Sequence, residues 1–416
     1  MEYKEPSERN IAAETRLQAK SKAESCFAGL KVNVVTLLDP AQFGGLEAYT
    51  RNLLSGLTDA GVEVDLNGRK SDSFVELADV WHRRSNRLLP LMTRKPLRHL
   101  AVAMANCWGR SWASVMVDEY DIQHFIGTGW DLLGFPLLSA AVRKGKVFTC
   151  LPAIHPGTWG DAPLDIDLYR RSSSVLCLSG FEAQHLERLG VTSQRVVVVP
   201  CGPEKLQDPD AVGSLKAASF RDAHGLGDRP MVLFIGRKSR TKGYQNLQWA
   251  IQILAERGSD VILVAIGKDI DSPIPNLPHE SFCDLGPIGD DIKQAALAAC
   301  DVFALPSEAE SFGIVYVEAW RYAKPVLCGT APASRELISK HRGGVITDGT
   351  ATDIANALSE LLGDKQQQRE LGLNGFCAWQ KLFTPDAVAR AHLNVWNQIV
   401  CNQYKSLRQN GKATAS

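Results

Sequence analysis

The sequence ALPSEAESFGIVYVEAWRYAKPV, residues 304–326, decides the fold prediction because it changes from strand to helix within a few positions. The apolar run at 302–305 has the length of a buried strand, and the Pro-Ser pair that follows ends it. A helix is expected from about residue 312 to residue 322, because Pro325 prevents it from continuing. The stretch therefore predicts one strand, a tight loop and one helix.

The loop of this unit has the chemistry of an anion site. Gly313 allows a ligand to approach the backbone closely, and the free N–H groups at a helix start attract phosphate. Glu310 and Glu318 flank the helix start with seven residues between them. Their carboxylates can accept hydrogen bonds from hydroxyl groups. Phosphates and hydroxyls together suit a nucleotide sugar, although charge statistics alone favour two unrelated surface acids.

Strands and helices alternate in two separate blocks of the chain. In the first block we expect strands at 30–38, 62–66, 120–126, 146–151, 175–179 and 196–200. In the second block we expect strands at 231–235, 261–267, 282–288, 302–305, 325–328 and 344–346. The predicted fold class is thus α/β, with two Rossmann-like, doubly wound domains that face a cleft.

These blocks set the expected domain boundaries. Residues 1–26 are a polar N-terminal extension, 27–204 the first domain and 205–384 the second domain. Residues 385–416 are a long amphipathic helix with a polar tail. The polar stretch 201–228 has no clear period, and we interpret it as the linker and the entry to the second domain.

Composition argues against several classes of function. The 416 residues carry a formal net charge of +0, which gives no electrostatic basis for binding nucleic acid. The ten cysteines form neither a CxxC pair nor a Cys/His cluster with metal spacing, so we expect reduced thiols, no metal and a cytoplasmic location. A polar N-terminus and the lack of a run of about 18 apolar residues predict neither a signal peptide nor a membrane span.

Two further turns are candidate diphosphate sites. Gly44-Gly45 precedes the first helix and can bring N–H groups to a phosphate, although a plain tight turn is equally consistent. At the end of the strand 231–235, Gly236 is followed by Arg237 and Lys242, whose cations can neutralise a diphosphate. Exposed basic turn residues are the alternative interpretation. No GxGxxG fingerprint is present, which argues against a dinucleotide dehydrogenase.

A rigid loop follows the strand 146–151, at the edge of the sheet where α/β proteins bind ligands. Its sequence, PAIHPGTWGD, contains His155, Trp159 and Asp161 between prolines and glycines. We interpret it as an active-site loop, with Trp159 and Asp161 on the acceptor side. A structural surface histidine is the alternative.

The segment 81–112 is rich in arginine, and no acid lies between Asp79 and Asp118. Apolar residues alternate with its cations, so it can lie on an anionic membrane or grip an acidic acceptor. The alternative, which we favour, is a solvated basic helix face that packs on the sheet.

Taken together, these motifs resemble those of the GT-B glycosyltransferases of family 4 over about residues 30–400. The matching motifs are Gly236-Arg237 to Lys242-Gly243, Pro306-Ser307, and the family's E-x7-E pattern in Glu310-Ser311-Phe312-Gly313 to Glu318-Ala319. The resemblance implies a C-terminal helix that crosses back to the first domain. It also implies retaining transfer of a sugar from a UDP- or GDP-sugar to an acceptor hydroxyl, in glycan, polysaccharide or glycolipid biosynthesis.

The resemblance implies neither a metal nor another cofactor. It does not identify the acceptor. A lipid-linked acceptor is consistent with the basic segment 81–112, which would then make peripheral contact with the inner face of a membrane.

The resemblance also implies roles for single residues. Arg237 and Lys242 would stabilise the diphosphate as it leaves, and Glu310 would orient the donor sugar. Glu318 would bind the ribose hydroxyls, and His155 would contact the donor sugar. The expected catalytic residues are His155, Arg237, Lys242 and Glu310. The expected donor-binding residues are Gly44, Gly45, Gly236, Arg237, Lys242, Ser311, Phe312, Gly313, Ile314 and Glu318.

Two positions depart from the family pattern. Ala323 stands where a glycine is common, which makes a left-handed helix end less comfortable, and Cys201-Gly202-Pro203-Glu204 replaces the usual hinge turn. The competing hypotheses are a catalytically silent GT-B protein that binds nucleotide sugar and a GT-B sugar-nucleotide epimerase. A phosphorylase would need a far longer chain with a pyridoxal lysine.

Overall fold

The computed structural model describes residues 29–39, 44–68, 81, 83, 85–94, 97–205, 209–271 and 281–413. The expected polar extension 1–26 lies outside the described residues. The described chain forms two parallel six-stranded sheets, one from each half of the sequence. The predicted α/β fold with two doubly wound domains is therefore confirmed.

The first sheet has the strand order β2-β1-β3-β4-β5-β6. Its strands are β1 (Lys31–Thr36), β2 (Glu63–Leu66), β3 (Ile122–Ile126), β4 (Val147–Leu151), β5 (Ser174–Cys177) and β6 (Val196–Val198). Its helices are α1 (Gly45–Asp59), α2 (Leu89–Met92), α3 (Arg98–Asp118), α4 (Gly134–Lys144), α5 (Pro163–Arg171) and α6 (Gly180–Arg188). The strands β3 and β4 are buried along their whole length, as expected for strands covered on both faces, although β3 carries the polar residues Gln123 and His124.

The second sheet has the order β12-β11-β10-β7-β8-β9. Its strands are β7 (Met231–Ile235), β8 (Ile262–Ile266), β9 (Phe282–Gly286), β10 (Val302–Leu305), β11 (Val326–Cys328) and β12 (Gly344–Ile346). Its helices are α7 (Pro209–Ala223), α8 (Tyr244–Glu256), α9 (Asp290–Ala299), α10 (Ile314–Arg321), α11 (Pro332–His341), α12 (Ala351–Gly363) and α13 (Lys365–Ala378). In both sheets the order reverses beside the first strand of the half, and open α/β sheets bind ligands at such switch points, outside the carboxyl ends of the strands.

The last helix, α14 (Pro385–Ala413), returns to the first domain and packs on α1. Its inner face brings His392 and Trp396, both fully buried, against Tyr49 and His124 of the first domain. The Tyr49 hydroxyl lies 2.6 Å from Nε2 of His392. The resemblance implied this crossing helix, and packing on the first domain is what holds it there.

The chain crosses from one domain to the other twice, near Gly202 and near Phe383, and the two crossings are in contact. Gly202 lies so close to the second crossing that a Cβ atom would stand 1.9 Å from the carbonyl oxygen of Phe383. Asn52 donates hydrogen bonds to the carbonyls of Gly202 and Pro203, the latter at 2.8 Å. The unusual hinge turn is thus fixed by the first domain, and glycine is required where the two crossings meet.

The polar stretch 201–228, interpreted as the linker and the entry to the second domain, contains a helix that the sequence did not predict. This is the 15-residue helix α7, which packs on α9. The Arg221 guanidinium holds it by bonding the Ala299 carbonyl at 2.8 Å and the Asp301 carboxylate at 2.9 Å. The helix is rich in alanine, glycine and serine, so its sequence lacks the stripe of large apolar residues that reveals an amphipathic helix.

The described residues of the basic segment 81–112 pack against the rest of the first domain. Trp81, Leu88, Met92 and Ala101 are buried in a core cluster beside the first sheet. The arginines Arg83, Arg87, Arg94 and Arg110 are exposed, whereas Arg98 is half-buried and donates to the carbonyl of Met92 at 3.0 Å. These residues fit the favoured alternative, a solvated basic helix face that packs on the sheet. Arg84 and Lys95 lie outside the described residues. No helix in the described part of the chain is long and apolar enough to span a membrane.

Ala323 adopts the left-handed conformation, with φ of 52°. Its N–H donates to the carbonyl of Trp320 at 2.9 Å, so the turn after α10 closes although no glycine stands there. The backbone strain expected for a left-handed helix end without glycine is therefore present at Ala323.

Candidate functional site

Two loops of the second domain are joined at the carboxyl end of its sheet. The Ser307 hydroxyl and the Glu308 N–H both donate to the carbonyl of Thr241, at 3.1 and 2.9 Å. Gly243 has φ of 67°, and a Cβ there would lie 2.0 Å from the carbonyl oxygen of Pro306. Only glycine allows this approach. The loop after β7 and the loop after β10 therefore form one platform.

The platform carries an ion pair between two residues that the sequence predicted as catalytic. Nζ of Lys242 lies 2.6 Å from Oε1 of Glu310, and the side chains are only 15% and 11% exposed. Water screens such a pair poorly, so the two charges interact strongly. Each charge of the pair therefore has the other as its partner in this structure.

The start of α10 points into the same place. Gly313 caps this helix with φ of 85°, and a Cβ there would collide with the ring of Tyr316 at 2.5 Å. Its left-handed conformation frees the first N–H groups of α10, beginning at Ile314, for an anion. The buried ring of Phe312, in contrast, packs against Phe383 at the hinge, with ring centroids 5.8 Å apart. The ring of Phe312 is thus part of the hinge packing and is not exposed in the cleft.

The active-site loop of the first domain lies opposite this platform. The Ser311 hydroxyl lies 3.1 Å from the carbonyl oxygens of both Ala153 and Ile154. Gly45 also faces the second domain, because a Cβ on it would lie 3.8 Å from the side chain of Ile314. The structure therefore brings the Gly-Gly turn, the active-site loop and the start of α10 together across the cleft.

His155 is half-buried in this cleft and is influenced by the charges of the second domain. Burial lowers the pKa of His155; Glu310 raises it in part, and the cations of Lys242 and Arg237 lower it again. The imidazole is therefore neutral at pH 7. The four residues predicted as catalytic lie in one electrostatic neighbourhood, although His155 comes from the other domain.

The two acceptor-side candidates behave differently. Trp159 is 43% exposed, and its backbone pairs with that of His155 through bonds of 2.8 and 3.0 Å. Asp161 supports the loop from within, since its carboxylate accepts from the Gly157 N–H at 2.6 Å and lies 3.2 Å from Nε2 of His185. Trp159 is available to a ligand, whereas the contacts of Asp161 are structural.

Glu318 lies within α10 and is buried, at 6% exposure. Its Oε1 lies 3.1 Å from Nζ of Lys293, which Asp290 also contacts at 3.0 Å. Burial alone would lower the pKa of Lys293, but these two carboxylates raise it. The Oε2 atom of Glu318 is buried and has no hydrogen-bond partner in the structure. A buried oxygen of this kind normally has a hydrogen-bond donor, and the described residues supply none.

Several residues at the site escaped the sequence analysis. Lys238 looks like its basic neighbours in the turn but is 1% exposed, bonded to Asp284 and 3.8 Å from Asp269. Glu182 and Glu336 are acids on helices that no motif marks. No group of three or more His, Cys, Asp or Glu side chains that could hold a metal lies within the described ranges.

Two family models match the chain. The model described as Glycosyltransferase Family 4 matches residues 43–204, and the model described as Glycosyl transferases group 1 matches residues 217–376. Together they take in most of both domains. The chain belongs to the GT-B glycosyltransferases of family 4, which confirms the predicted membership.

Relatives and solved structures agree with this membership. A GDP-mannose-dependent alpha-(1-6)-phosphatidylinositol monomannoside mannosyltransferase of Mycolicibacterium smegmatis is 31% identical over 185 residues, 40% of this chain and 46% of that protein. A D-inositol 3-phosphate glycosyltransferase of Xylanimonas cellulosilytica is 30% identical over 55% of this chain and 57% of its own. The chain thus spans about half the length of these relatives.

Among solved structures, Anabaena Alr3699/HepE in complex with UDP superposes with a TM-score of 0.64 at 18% identity, over 89% of this chain and 100% of its own. Sucrose-phosphate synthase of Thermosynechococcus elongatus gives a TM-score of 0.64 at 18% identity, over 90% of this chain and 100% of its own. At this identity the likeness concerns the fold, and it is the GT-B fold.

Proposed function

We propose that the protein is a retaining glycosyltransferase that moves a sugar from a UDP- or GDP-sugar to an acceptor hydroxyl. The observation that carries this proposal is the convergence of Lys242, Glu310 and His155, from both domains, beside the free start of α10. These groups combine cations, a carboxylate, a neutral imidazole and helix N–H groups. A nucleotide-diphosphate sugar needs all of them.

Each group has a defined task in this proposal. The diphosphate binds at the N–H groups of α10 and at Arg237 and Lys242, which stabilise the negative charge that develops as it leaves. Glu310, released from Lys242, accepts hydrogen bonds from the donor sugar. His155, being neutral, can accept or donate a hydrogen bond to the sugar without adding a charge. Glu318 accepts ribose hydroxyls at its unsatisfied oxygen.

The relatives support both donor bases and a lipid acceptor. One relative is GDP-mannose-dependent and is named for phosphatidylinositol monomannoside, whereas a structure with the same fold contains UDP. We therefore propose a glycolipid or polysaccharide precursor as the acceptor. The exposed arginines of the segment 81–112 would approach an anionic membrane that carries it. Unchanged vesicle binding after Arg83, Arg87, Arg94 and Arg110 are replaced by glutamine would refute this membrane contact.

A donor screen tests the reaction. Purified protein is incubated with UDP- and GDP-sugars, and release of nucleotide diphosphate is followed together with the melting temperature. The variants Lys242→Ala and Glu310→Ala should abolish release, while Lys216→Ala on α7 and Glu370→Ala on α13, both at exposed positions, should not. Release from one donor names that donor and the transferase class.

Other results of the screen favour the competing hypotheses. A melting shift with a nucleotide sugar but no release, even with glycolipid acceptors present, favours a catalytically silent protein. Conversion of one nucleotide sugar into another without free diphosphate indicates an epimerase. No shift with any nucleotide sugar contradicts the proposed donor site.

A further inference from the structure

Glu182 is a buried carboxylate that contacts the active-site loop from below. It lies in the first turn of α6 and is 1% exposed. Its Oε1 accepts a hydrogen bond from the Ile154 N–H at 2.9 Å, and its Oε2 accepts from the Leu178 N–H at 2.7 Å. Ile154 directly precedes His155. One side chain therefore ties the backbone of the loop to the end of the neighbouring strand.

The loop needs such a support. Ala153 has φ of 51°, a left-handed conformation that residues with a Cβ rarely adopt. Strained backbone of this kind persists only where surrounding contacts hold it. Glu182 holds the N–H of Ile154 from within the first domain, and Ser311 holds the carbonyl groups of Ala153 and Ile154 from the second domain.

The turn that carries Glu182 is itself bound by the second domain. Glu336 of α11 accepts hydrogen bonds from the N–H groups of Gly180 and Phe181 at 2.8 and 2.7 Å. The Ser179 hydroxyl accepts from the Glu182 N–H at 3.2 Å, so the first turn of α6 is capped from both domains. These contacts thus fix the position of Glu182, and Glu182 in turn supports the loop.

Keeping a carboxyl group here is costly. Burial raises the pKa of Glu182 to about 7, although the two N–H bonds act to lower it. An apolar residue would avoid this cost but would leave the N–H groups of Ile154 and Leu178 without their acceptor. The side chain is therefore explained by the two backbone groups that it joins.

We propose that Glu182 is a positioning residue, which holds the strained loop so that the His155 imidazole meets the donor sugar. This inference rests on the proposed function, because it needs a sugar at His155. A carboxylate can serve both N–H groups, whereas the amide of glutamine offers one acceptor and turns N–H donors toward the second group. Glu182→Gln therefore keeps the size of the side chain and breaks one of the two bonds.

A double-mutant cycle with His155 separates positioning from general stability. Glu182→Gln should lower kcat/KM for the donor by about 10- to 100-fold, as expected when a reacting group is misplaced. In the His155→Ala background the same change should have no further effect. If Glu182→Gln lowers kcat/KM by an equal factor in both backgrounds, Glu182 acts through the fold alone and the proposal is wrong.

A second measurement needs no activity. The imidazole signals of His155, assigned in NMR spectra by their loss in His155→Ala, should shift in Glu182→Gln and stay in place in Glu187→Gln, a change on the exposed side of the same helix. Unmoved His155 signals in Glu182→Gln overturn the proposal. If wild-type protein turns over no nucleotide sugar, the proposed function fails, while this comparison still decides whether Glu182 sets the loop.

Glutamine at this position could prevent folding, so a second variant is needed. Glu182→Asp keeps the charge but is one methylene shorter and cannot span both N–H groups. The same cycle and the same NMR comparison apply to it, with the same expected results.

Discussion

The ammonium of Lys242 and the carboxylate of Glu310 lie 2.6 Å apart in a place that is largely shielded from water. Removing one partner of such a pair leaves a poorly solvated charge, which is more harmful than removing both. In the proposed function, a donor diphosphate would supply a new partner for Lys242 and free Glu310 for sugar hydroxyls. The pair would thus keep both residues in place for the ligand, while His155 responds to its balance of charge.

The pKa of His155 reports this balance directly. Replacing Glu310 by glutamine removes the negative charge that raises the pKa, so the pKa should fall further below its ordinary value. Replacing Lys242 by methionine removes a positive charge and should raise it. An NMR titration of the His155 imidazole in both variants measures the two shifts. Shifts of the same sign, or none, would show that His155 does not lie in the field of the pair.

At the scale of elements, the sequence predicts what is local. The predicted strand at 302–305 is observed as Val302–Leu305, and the helix predicted over 312–322 is observed as Ile314–Arg321. Helix α7 was not predicted, because its small side chains give no apolar period. The contact of Gly180 with Glu336 was out of reach for another reason. These residues are 156 positions apart, and only tertiary packing brings them together.

The residues of the candidate site likewise fall into a group that the sequence predicts and a group that it does not. The residues in contiguous motifs, such as Lys242 and Glu310, were predicted as a group and lie together. The supports of the His155 loop were not predicted, because Glu182 looks in the sequence like any acid in a first helical turn. Motifs reveal groups that touch a ligand, whereas the groups that hold them are visible only in the fold.

Two buried histidines, His392 on α14 and His124 on β3, lie where the crossing helix packs on the first domain. Burial makes the protonated form of both rings unfavourable. Nδ1 of His392 donates to the carbonyl of Val388 at 2.8 Å, so Nε2 accepts from the Tyr49 hydroxyl. Burial lowers the pKa of His392 to about 4, and it lowers the pKa of His124 well below its ordinary value, with a further contribution from His392. Both rings are therefore neutral when the helix is docked.

Acid should therefore loosen α14. The stability that a neutral His392 allows is complete above the pKa of an unfolded histidine, about 6.5, and is lost as the pH falls toward 4. The full loss is about 3 kcal/mol for this residue alone. The melting temperature of wild-type protein should fall between pH 7.5 and pH 5, and less so in His392→Gln. The exposed His99→Gln serves as control, and an equal fall in all three proteins contradicts the prediction.

At the scale of the molecule, the two crossings of the chain share one contact point. Gly202→Ala places a methyl group 1.9 Å from the carbonyl oxygen of Phe383. Both groups are attached to the backbone, so neither can rotate away as a flexible side chain could. We expect a loss of about 1–3 kcal/mol in the free energy of unfolding, as for overpacked sites. Gly363→Ala, where no atom lies within 4 Å of the new Cβ, should be neutral or slightly stabilising. Equal melting temperatures for the two variants would contradict the close approach.

Several polar contacts join the two domains across the cleft. Glu336 of the second domain bonds two N–H groups at the start of α6 in the first domain, and Ser311 reaches the active-site loop. A carboxylate at a helix start is stabilised by the helix dipole as well as by its hydrogen bonds, together about 1–2 kcal/mol at a partly exposed position. That amount shifts a two-state domain equilibrium by about 5- to 30-fold.

Glu336→Ala should therefore open the molecule without unfolding either domain. We expect a larger radius of gyration in small-angle X-ray scattering than for wild-type protein, with circular dichroism unchanged, since the lost bonds join domains rather than elements of one sheet. Glu370→Ala, an exposed acid on α13, should scatter like wild-type protein. In Glu336→Ala the His155 loop should also lose protection in hydrogen exchange, because Glu182 is carried by the turn that Glu336 caps. Identical scattering curves for Glu336→Ala and Glu370→Ala would mean that other contacts keep the cleft closed.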